Sequence, residues 1–167
     1  MEINIDLTRE DYADFNKFWF IKKGLKKRVY TVIIAAFGLP LLVENEMPFT
    51  VVTYLLSVIV FGLIFGLIYL GGTAITLKRT SRLPSGNGSI LGKKKYTITE
   101  DGFIEESENS KNIQKWEGIK SVETNRNSVF LFVDNIAAYI IPKRFFSDEE
   151  DMNSFIKMID NKIKNTR

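Results

Sequence analysis

The sequence predicts an α+β membrane protein, in which a transmembrane helical hairpin is joined to a small antiparallel β domain capped by a C-terminal helix. Two long stretches without charged residues, 29–43 and 49–77, predict the hairpin. Short β-prone runs separated by turn residues occupy 93–141 and predict the sheet. An amphipathic pattern near the end of the chain predicts the closing helix.

Residues 1–28 are predicted to form a cytoplasmic strand and an amphipathic helix. Apolar and polar residues alternate over 3–7, and Thr8 with Asp11 forms a capping box that opens a helix. Aromatic residues then recur at spacings of three and four, namely Tyr12, Phe15, Phe18 and Trp19. Two interpretations stay open, because this aromatic stripe suits either the membrane surface or the packed core of the soluble domain.

The first predicted transmembrane helix, 29–43, has roughly 15 residues and a length of about 22 Å, slightly short for a hydrocarbon core of about 30 Å. Snorkelling of the preceding cations would lengthen it, and Pro40 is tolerated as a kink inside a membrane. A short extracytoplasmic loop, 44–48, leads to the second helix, 49–77, whose roughly 29 uncharged residues exceed the length that a bilayer requires. A soluble alternative would leave too little sequence to cover two apolar helices.

Basic residues flank the two predicted spans on one side. They precede the first span within 22–28 and follow the second as Lys78, Arg79 and Arg82, whereas the connecting loop carries two glutamates. Because basic loops stay on the cytoplasmic side, we expect a multi-pass protein of the cell membrane with both termini in the cytoplasm.

A segment rich in Gly and Ser, 78–92, is predicted to link the spans to a β domain at 93–167. The Asp101-Gly102 pair predicts a β-hairpin, since it suits a primed turn. Acidic residues around this hairpin suggest a solvated edge that discourages strand pairing. Further strands are predicted at 113–116, 119–124, 129–133 and 137–141.

A second capping box, formed by Ser147 and Glu150, predicts the start of the C-terminal helix. Apolar residues then fall on one helical face, namely Met152, Phe155, Ile156, Ile159 and Ile163. We therefore expect this helix to cap the sheet.

Four strings of the sequence resemble the bacterial YcxB-like family: LTREDYADFNKFW, KKYTITEDGFIEES, QKWEGIKSVET and AAYIIPKRFFSDEEDMNSFI. The resemblance covers nearly the whole chain, and the C-terminal strings carry most of its specificity. It implies a small bacterial inner-membrane protein with two spans and a C-terminal domain similar to pleckstrin-homology domains. It implies no catalytic or binding residue.

Gly62 and Gly66 form a GxxxG step in the second predicted span, where the absence of side chains lets helix backbones approach closely. They are candidate helix-packing residues. The step suits either self-association of two chains or packing within the hairpin.

A basic cluster precedes the first span and is a candidate contact for anionic lipids: Lys22, Lys23, Lys26, Lys27 and Arg28. Its alternative role is to determine topology alone. Residues 93–95, three further lysines, suit either an extension of this basic surface or an exposed turn.

Lys143, Arg144 and Phe145 form a candidate ligand or partner surface, because they follow an apolar strand and precede the last helix. The alternative is a structural turn. Trp116 suits a binding surface or the sheet core, and we expect the core.

Composition narrows the expected function. The 167 residues include no Cys and no His, so thiolate nucleophiles, histidine proton shuttles and the commonest metal ligands are absent. We expect no cofactor, no enzymatic activity and no nucleic-acid partner. The predicted role is a membrane-anchored binding or scaffolding module that contacts the lipid bilayer and a protein partner or a second copy. The alternative is an accessory subunit of a membrane transport or signalling complex.

Overall fold

The structure is a computed structural model that describes residues 1–42, 50–80, 82 and 90–166, apart from the side chain of Lys23. It has an α+β fold with antiparallel sheets and a C-terminal helix, as predicted. Two compact units are present. The first, here called the β unit, comprises Met1–Phe18 and Thr80–Arg167, and the second, the helical unit, comprises Trp19–Arg79. The β unit therefore includes residues that the sequence-based division assigns to a separate segment, 1–28.

The first sheet of the β unit has four antiparallel strands in the order β1-β2-β3-β4. Their bounds are β1 Glu2–Leu7, β2 Gly92–Ile98, β3 Gly102–Ser107 and β4 Lys111–Lys115. Strand β1 alternates exposed polar residues with buried Ile3, Ile5 and Leu7, so one of its faces enters the core. It pairs with β2 in the register Glu2↔Thr97, which joins the two ends of a long intervening segment.

The hairpin predicted around Gly102 is present, but the primed turn is wrong. Such a turn needs positive φ at its central residues, and among the described glycines Gly92 alone has positive φ. The side-chain hydroxyl of Thr99 closes the turn instead, donating to the Gly102 carbonyl at 2.8 Å. Gly102 is needed for another reason: a Cβ there would lie 2.4 Å from the backbone oxygen of Gln114 on β4.

The second sheet has three antiparallel strands in the order β5-β6-β7, with bounds β5 Ser121–Thr124, β6 Ser128–Phe132 and β7 Ala138–Pro142. All five residues of β6 are buried, so this central strand is part of the core on both of its faces. Helix α4, Glu149–Asn165, adds Phe155, Ile159 and Ile163 to the same core. The predicted C-terminal helix is thereby confirmed.

The capping box predicted for α4 at Ser147 and Glu150 is wrong by one residue. Asp148 is the N-cap, and its side chain accepts a hydrogen bond from the Asp151 N–H at 2.8 Å. Both Ser and Asp are favoured at this position, so local sequence alone does not choose between them.

Helix α1, Arg9–Trp19, begins at the predicted capping box, where the Asp11 carboxylate accepts from the backbone N–H and the hydroxyl of Thr8, both at 2.8 Å. The aromatic stripe packs on the second sheet: the rings of Phe15 and Phe18 lie 5.4 and 4.7 Å from that of Phe130. Of the two interpretations left open for this stripe, core packing therefore holds for these two residues.

The helical unit contains a π-helical turn, Phe20–Gly24, followed by α2, Leu25–Leu42, and α3, Val51–Thr80. Helices α2 and α3 pack antiparallel, since Arg28 near the start of α2 contacts Tyr69, whereas Phe37 near its end contacts Tyr54. The predicted loop 44–48 and most of the predicted linker 78–92 lie outside the described residues.

Among the described residues, α3 alone is long and apolar enough to cross a membrane, judged by length and composition. Its most apolar window has a mean hydropathy of 2.6, and none of that window is buried. In α2, three cations occupy the first four residues, which leaves an uncharged helical stretch of about 21 Å.

Candidate functional site

The predicted Lys143-Arg144-Phe145 surface is a short 3-10 turn after β7, and its central residue is engaged inside the protein. The Arg144 guanidinium donates to both carboxylate oxygens of Asp11, at 2.5 and 2.7 Å, and to the carbonyl of Asp6 at 3.1 Å. It also lies 4.7 Å from the ring centre of Phe145. Arg144 thus ties the turn to the start of α1, and a ligand role for Lys143 and Phe145 stays a prediction.

Asp11 is the buried partner in this ion pair, with 7% of its side chain exposed, against 49% for Arg144. Burial by itself would raise the pKa of the Asp11 carboxyl. Hydrogen bonds from Arg144 and from Thr8 outweigh burial, so the pKa lies below its ordinary value. The same pair raises the pKa of Arg144, chiefly through the hydrogen bond to Asp11. The contact therefore joins two charged groups at neutral pH.

The basic cluster lies on the π-helical turn and the first turn of α2. Lys22, Lys26 and Lys27 are exposed. Arg28 is half-buried: its guanidinium carbon lies 3.5 Å from the ring centre of Phe20, and Nη1 donates to the Tyr69 hydroxyl at 3.4 Å. These three lysine side chains are thus exposed, and a contact with anionic lipids stays a prediction, whereas Arg28 links the start of α2 to Tyr69 of α3.

The two glycines of the GxxxG step differ in their surroundings. A Cβ on Gly62 would lie 3.7 Å from the Cβ of Ala36, so Gly62 faces α2 within the hairpin. A Cβ on Gly66 would meet no atom within 4 Å. Packing within the helical unit therefore accounts for Gly62 and leaves the face at Gly66 open.

A cleft of about 630 Å³ between the two sheets was not predicted from the sequence. Residues 93–95 lie in β2, so the alternative of an exposed turn is wrong, whereas Lys93 is exposed and its part in a basic surface stays a prediction. Lys94 is buried and lines the cleft. Only 8% of its side chain is exposed, and its ammonium is ion-paired with Glu105 of β3. The alternation of β2 would have revealed this, because Lys94 lies two residues before buried Tyr96 and shares its face.

Glu105 therefore lies in an interior strand rather than at the solvated edge that the acidic residues suggested. Strand β3 pairs on both sides, with β2 and with β4. Two phenols lie close to the carboxylate: burial raises the pKa of Tyr96 well above its ordinary value, and the Glu105 charge adds to the rise. The pKa of Tyr139 is raised by the same two causes. Both hydroxyl groups therefore remain protonated hydrogen-bond donors at neutral pH.

Trp116 is 4% exposed and lies in the core, as predicted. Its indole N–H donates to the Glu100 carbonyl at 3.0 Å, which satisfies the polar end of this large side chain. Within the described ranges, no three carboxylates come together in a group that could hold a metal ion.

Residues 98–159 match a family model described as YcxB-like protein. The match runs from the end of β2 into α4 and confirms the resemblance over these residues. No curated protein and no solved structure matches the chain.

Proposed function

We propose that this chain, whose residues 98–159 match the YcxB-like family, is a membrane-anchored, non-enzymatic binding or scaffolding module. The helical unit anchors it in a bacterial membrane, and the β unit presents a binding domain on the cytoplasmic side. Tethering of this kind raises the effective concentration of a binding domain toward partners in the same membrane.

The observation that carries the proposal is the exposed apolar surface of α3. This helix of 30 residues has no buried residue, and its two charged residues, Lys78 and Arg79, lie in its last turn. Large apolar side chains are more than 60% exposed at several points along its length, among them Val51, Leu63, Leu67 and Leu70. Water is a poor solvent for a continuous apolar surface of this extent, whereas lipid tails are a good one.

The pairing of β1 with β2 supports a second crossing. These strands flank the helical unit in sequence and belong to one sheet, so both must lie on the same side of any membrane. If α3 crosses once, the segment between β1 and α3 must cross as well. Helix α2 supplies most of that second span, and the lysines at its start extend it by snorkelling.

The orientation follows from the antiparallel packing of α2 and α3. The cations at the start of α2 and those at the end of α3 lie at the same end of the pair, as the contact of Arg28 with Tyr69 indicates. The positive-inside rule then favours a cytoplasmic location for that end and for both termini. Exposed Lys22, Lys26 and Lys27 would there face anionic headgroups.

We further propose that the β unit is similar to pleckstrin-homology domains, as the family resemblance implies. Its sheets of four and three antiparallel strands, followed by a C-terminal helix, support this assignment. In this chain the helical unit is inserted between the first and second strands.

Cysteine labelling of the full chain tests the topology cleanly, because the protein has no Cys of its own. Asn45→Cys should react with a membrane-impermeant maleimide on intact cells. Asp101→Cys, in the exposed turn before β3, should react only after the cells are opened. Alkaline carbonate should leave both variants in the membrane pellet. Release of the chain as a soluble species, or labelling of Asp101→Cys on intact cells, would contradict the proposal.

A second candidate function is that of an accessory subunit which associates through its helices, and the open face at Gly66 favours it. Gly66→Ile should then abolish in-cell crosslinks to a partner or a second copy. Gly62→Ile is the comparison, since it should disturb the contact with Ala36 inside one chain. Unchanged crosslinks in Gly66→Ile would exclude this face as an interface, and mass spectrometry of the crosslinked species would identify the partner.

A further inference from the structure

The cleft between the two sheets has the size and lining of a small-molecule site. Its volume of about 630 Å³ lies within the range of known ligand sites, roughly 300–1,000 Å³. Its walls are largely apolar and come from β1, α1 and the β6–β7 hairpin: Leu7, Phe15, Val133, Ile136 and Ile140. Every lining residue belongs to the β unit. An apolar molecule can therefore replace water in this cleft favourably.

The polar side of the cleft carries a hydrogen-bond donor without a partner. Tyr96 is 2% exposed and lines the cleft, and no hydrogen bond joins its hydroxyl to any described residue. Tyr139 lines the same cleft, its ring lies 6.0 Å from that of Tyr96, and no hydrogen bond joins its hydroxyl to any described residue. Neither hydroxyl oxygen is among the fully buried polar atoms without a partner, so water in the cleft can reach both of them. An acceptor oxygen of a bound molecule would take the place of that water and accept from the two hydroxyl groups.

The charges around the cleft favour a neutral acceptor over an anion. Lys94 is neutralised by Glu105, and Lys111, the remaining cation of the lining, is ion-paired with Glu106. Both cations of the lining are thus already ion-paired, and the nearby Glu105 charge adds to the raised pKa of both phenols. A carboxylate or phosphate would therefore bring an unbalanced charge into a largely apolar cleft, whereas a carbonyl oxygen would not.

We propose that the cleft binds a small, neutral, mainly apolar molecule that carries a carbonyl oxygen, with the hydroxyl groups of Tyr96 and Tyr139 donating to that oxygen. The inference rests on the proposed binding role of the β unit and names the chemical class of its ligand. The apolar walls hold the body of the molecule. The Lys94–Glu105 pair fixes the polarity of the site by excluding anions.

The test uses the full chain in lipid nanodiscs with isotopically labelled isoleucine methyl groups. The probe is benzylacetone, a neutral ketone, and it is compared with butylbenzene, which lacks an acceptor, and with hydrocinnamate, which is anionic. Benzylacetone should shift the methyl signals of Ile136 and Ile140 saturably. It should leave Ile113, an exposed residue of β4 outside the cleft, unchanged. Butylbenzene should bind several-fold more weakly and hydrocinnamate about tenfold more weakly.

Tyr96→Phe removes one oxygen and keeps the shape of the core, so the variant should fold. It should lower the affinity for benzylacetone about three- to tenfold, the equivalent of one hydrogen bond, and abolish the preference over butylbenzene. Tyr30→Phe, at an exposed position of α2, is the matched control and should change nothing. Glu105→Gln should reverse the preference, because the unpaired Lys94 ammonium would attract hydrocinnamate.

Three results would overturn the inference: no saturable shift at Ile136 and Ile140, equal affinities for benzylacetone and butylbenzene, or unchanged affinity in Tyr96→Phe. Each of these leaves carbonate resistance and cysteine labelling unaffected, so the membrane proposal would survive it. Conversely, release by carbonate would refute the membrane anchor, and the same titration would then be run on the full chain in solution, because every lining residue belongs to the β unit.

Discussion

Replacing Arg144 by methionine should lower the free energy of unfolding of the β unit by about 2 kcal/mol. The guanidinium makes two hydrogen bonds to the Asp11 carboxylate, which is 7% exposed. Hydrogen bonds to charged groups contribute roughly 1.5–3 kcal/mol, and removing one partner of a fully buried ion pair costs roughly 3–5 kcal/mol. Because Arg144 is 49% exposed, water can approach Asp11 in the variant. The expected loss therefore lies in the range for a hydrogen bond to a charged group and below that for a fully buried ion pair. Methionine keeps an unbranched apolar side chain beside Phe145 but loses the guanidinium, which lies 4.7 Å from the ring centre.

Pulse proteolysis of the full chain in nanodiscs, across a urea series, measures this loss. With a urea dependence of roughly 1–3 kcal/mol per molar, the midpoint should fall by about 1 M. Lys120→Met is the matched control. The Lys120 ammonium forms an ion pair with Asp134 at 2.7 Å, and both side chains are at least half exposed. Exposed ion pairs contribute little to stability, so the urea midpoint of Lys120→Met should stay close to that of the unaltered chain.

The effect of Arg144→Met should also depend on pH in a defined direction. The pKa of Asp11 in the folded protein lies below its ordinary value, which is about 3.9 in an unfolded chain. The stabilisation is therefore complete above about pH 4 and is lost as the pH falls through the folded pKa. The difference in free energy of unfolding between the unaltered chain and Arg144→Met should be constant near neutral pH and should become smaller in acid. A loss no larger than that of Lys120→Met, or a difference that does not narrow in acid, would refute the reasoning.

Three further predictions use the same urea assay. Gly102→Ala should destabilise the β unit by about 2–3 kcal/mol, because its Cβ would meet backbone atoms of Gln114. Gly118→Ala should cost less, since there the Cβ would meet the end of a flexible side chain; equal losses would contradict this distinction. Trp116→Phe should cost about 1–2 kcal/mol through the lost indole hydrogen bond, and an unchanged urea midpoint would show that water satisfies the Glu100 carbonyl instead. Asp148→Ala should cost about 1 kcal/mol as a lost N-cap, and no loss would argue against Asp148 as the cap.

Some features set by neighbouring residues could be predicted from the sequence, although the primed turn and the Ser147 cap were not among them. The capping box of Thr8 and Asp11 depends on residues three apart, and the structure forms it as predicted. The hairpin before Gly102 was placed correctly for a related reason, since turn residues separate two β-prone runs. Trp116 was assigned to the core because its size dominates its energetics.

Features set by distant residues could not be predicted. The role of Arg144 depends on its ion pair with Asp11, which lies far away in the sequence. No local pattern around either residue predicts this pairing. The cleft required knowing that Lys94 and Glu105 are cross-strand neighbours in the interior of the unit, whereas three consecutive lysines suggest a solvated surface. The pairing of β1 with β2 was missed because the whole helical unit separates them.

That long-range pairing imposes an order of events during synthesis. Strand β1 leaves the ribosome first, but its hydrogen-bonding partner is not made until the chain reaches Gly92–Ile98. At ordinary translation speeds of about 5–20 residues per second, the interval is roughly 5–20 s. During that time Ile3, Ile5 and Leu7 have no sheet to join and are open to chaperones or to mispairing. Pairing of β1 within its sheet is therefore completed only after the whole helical unit has been synthesised.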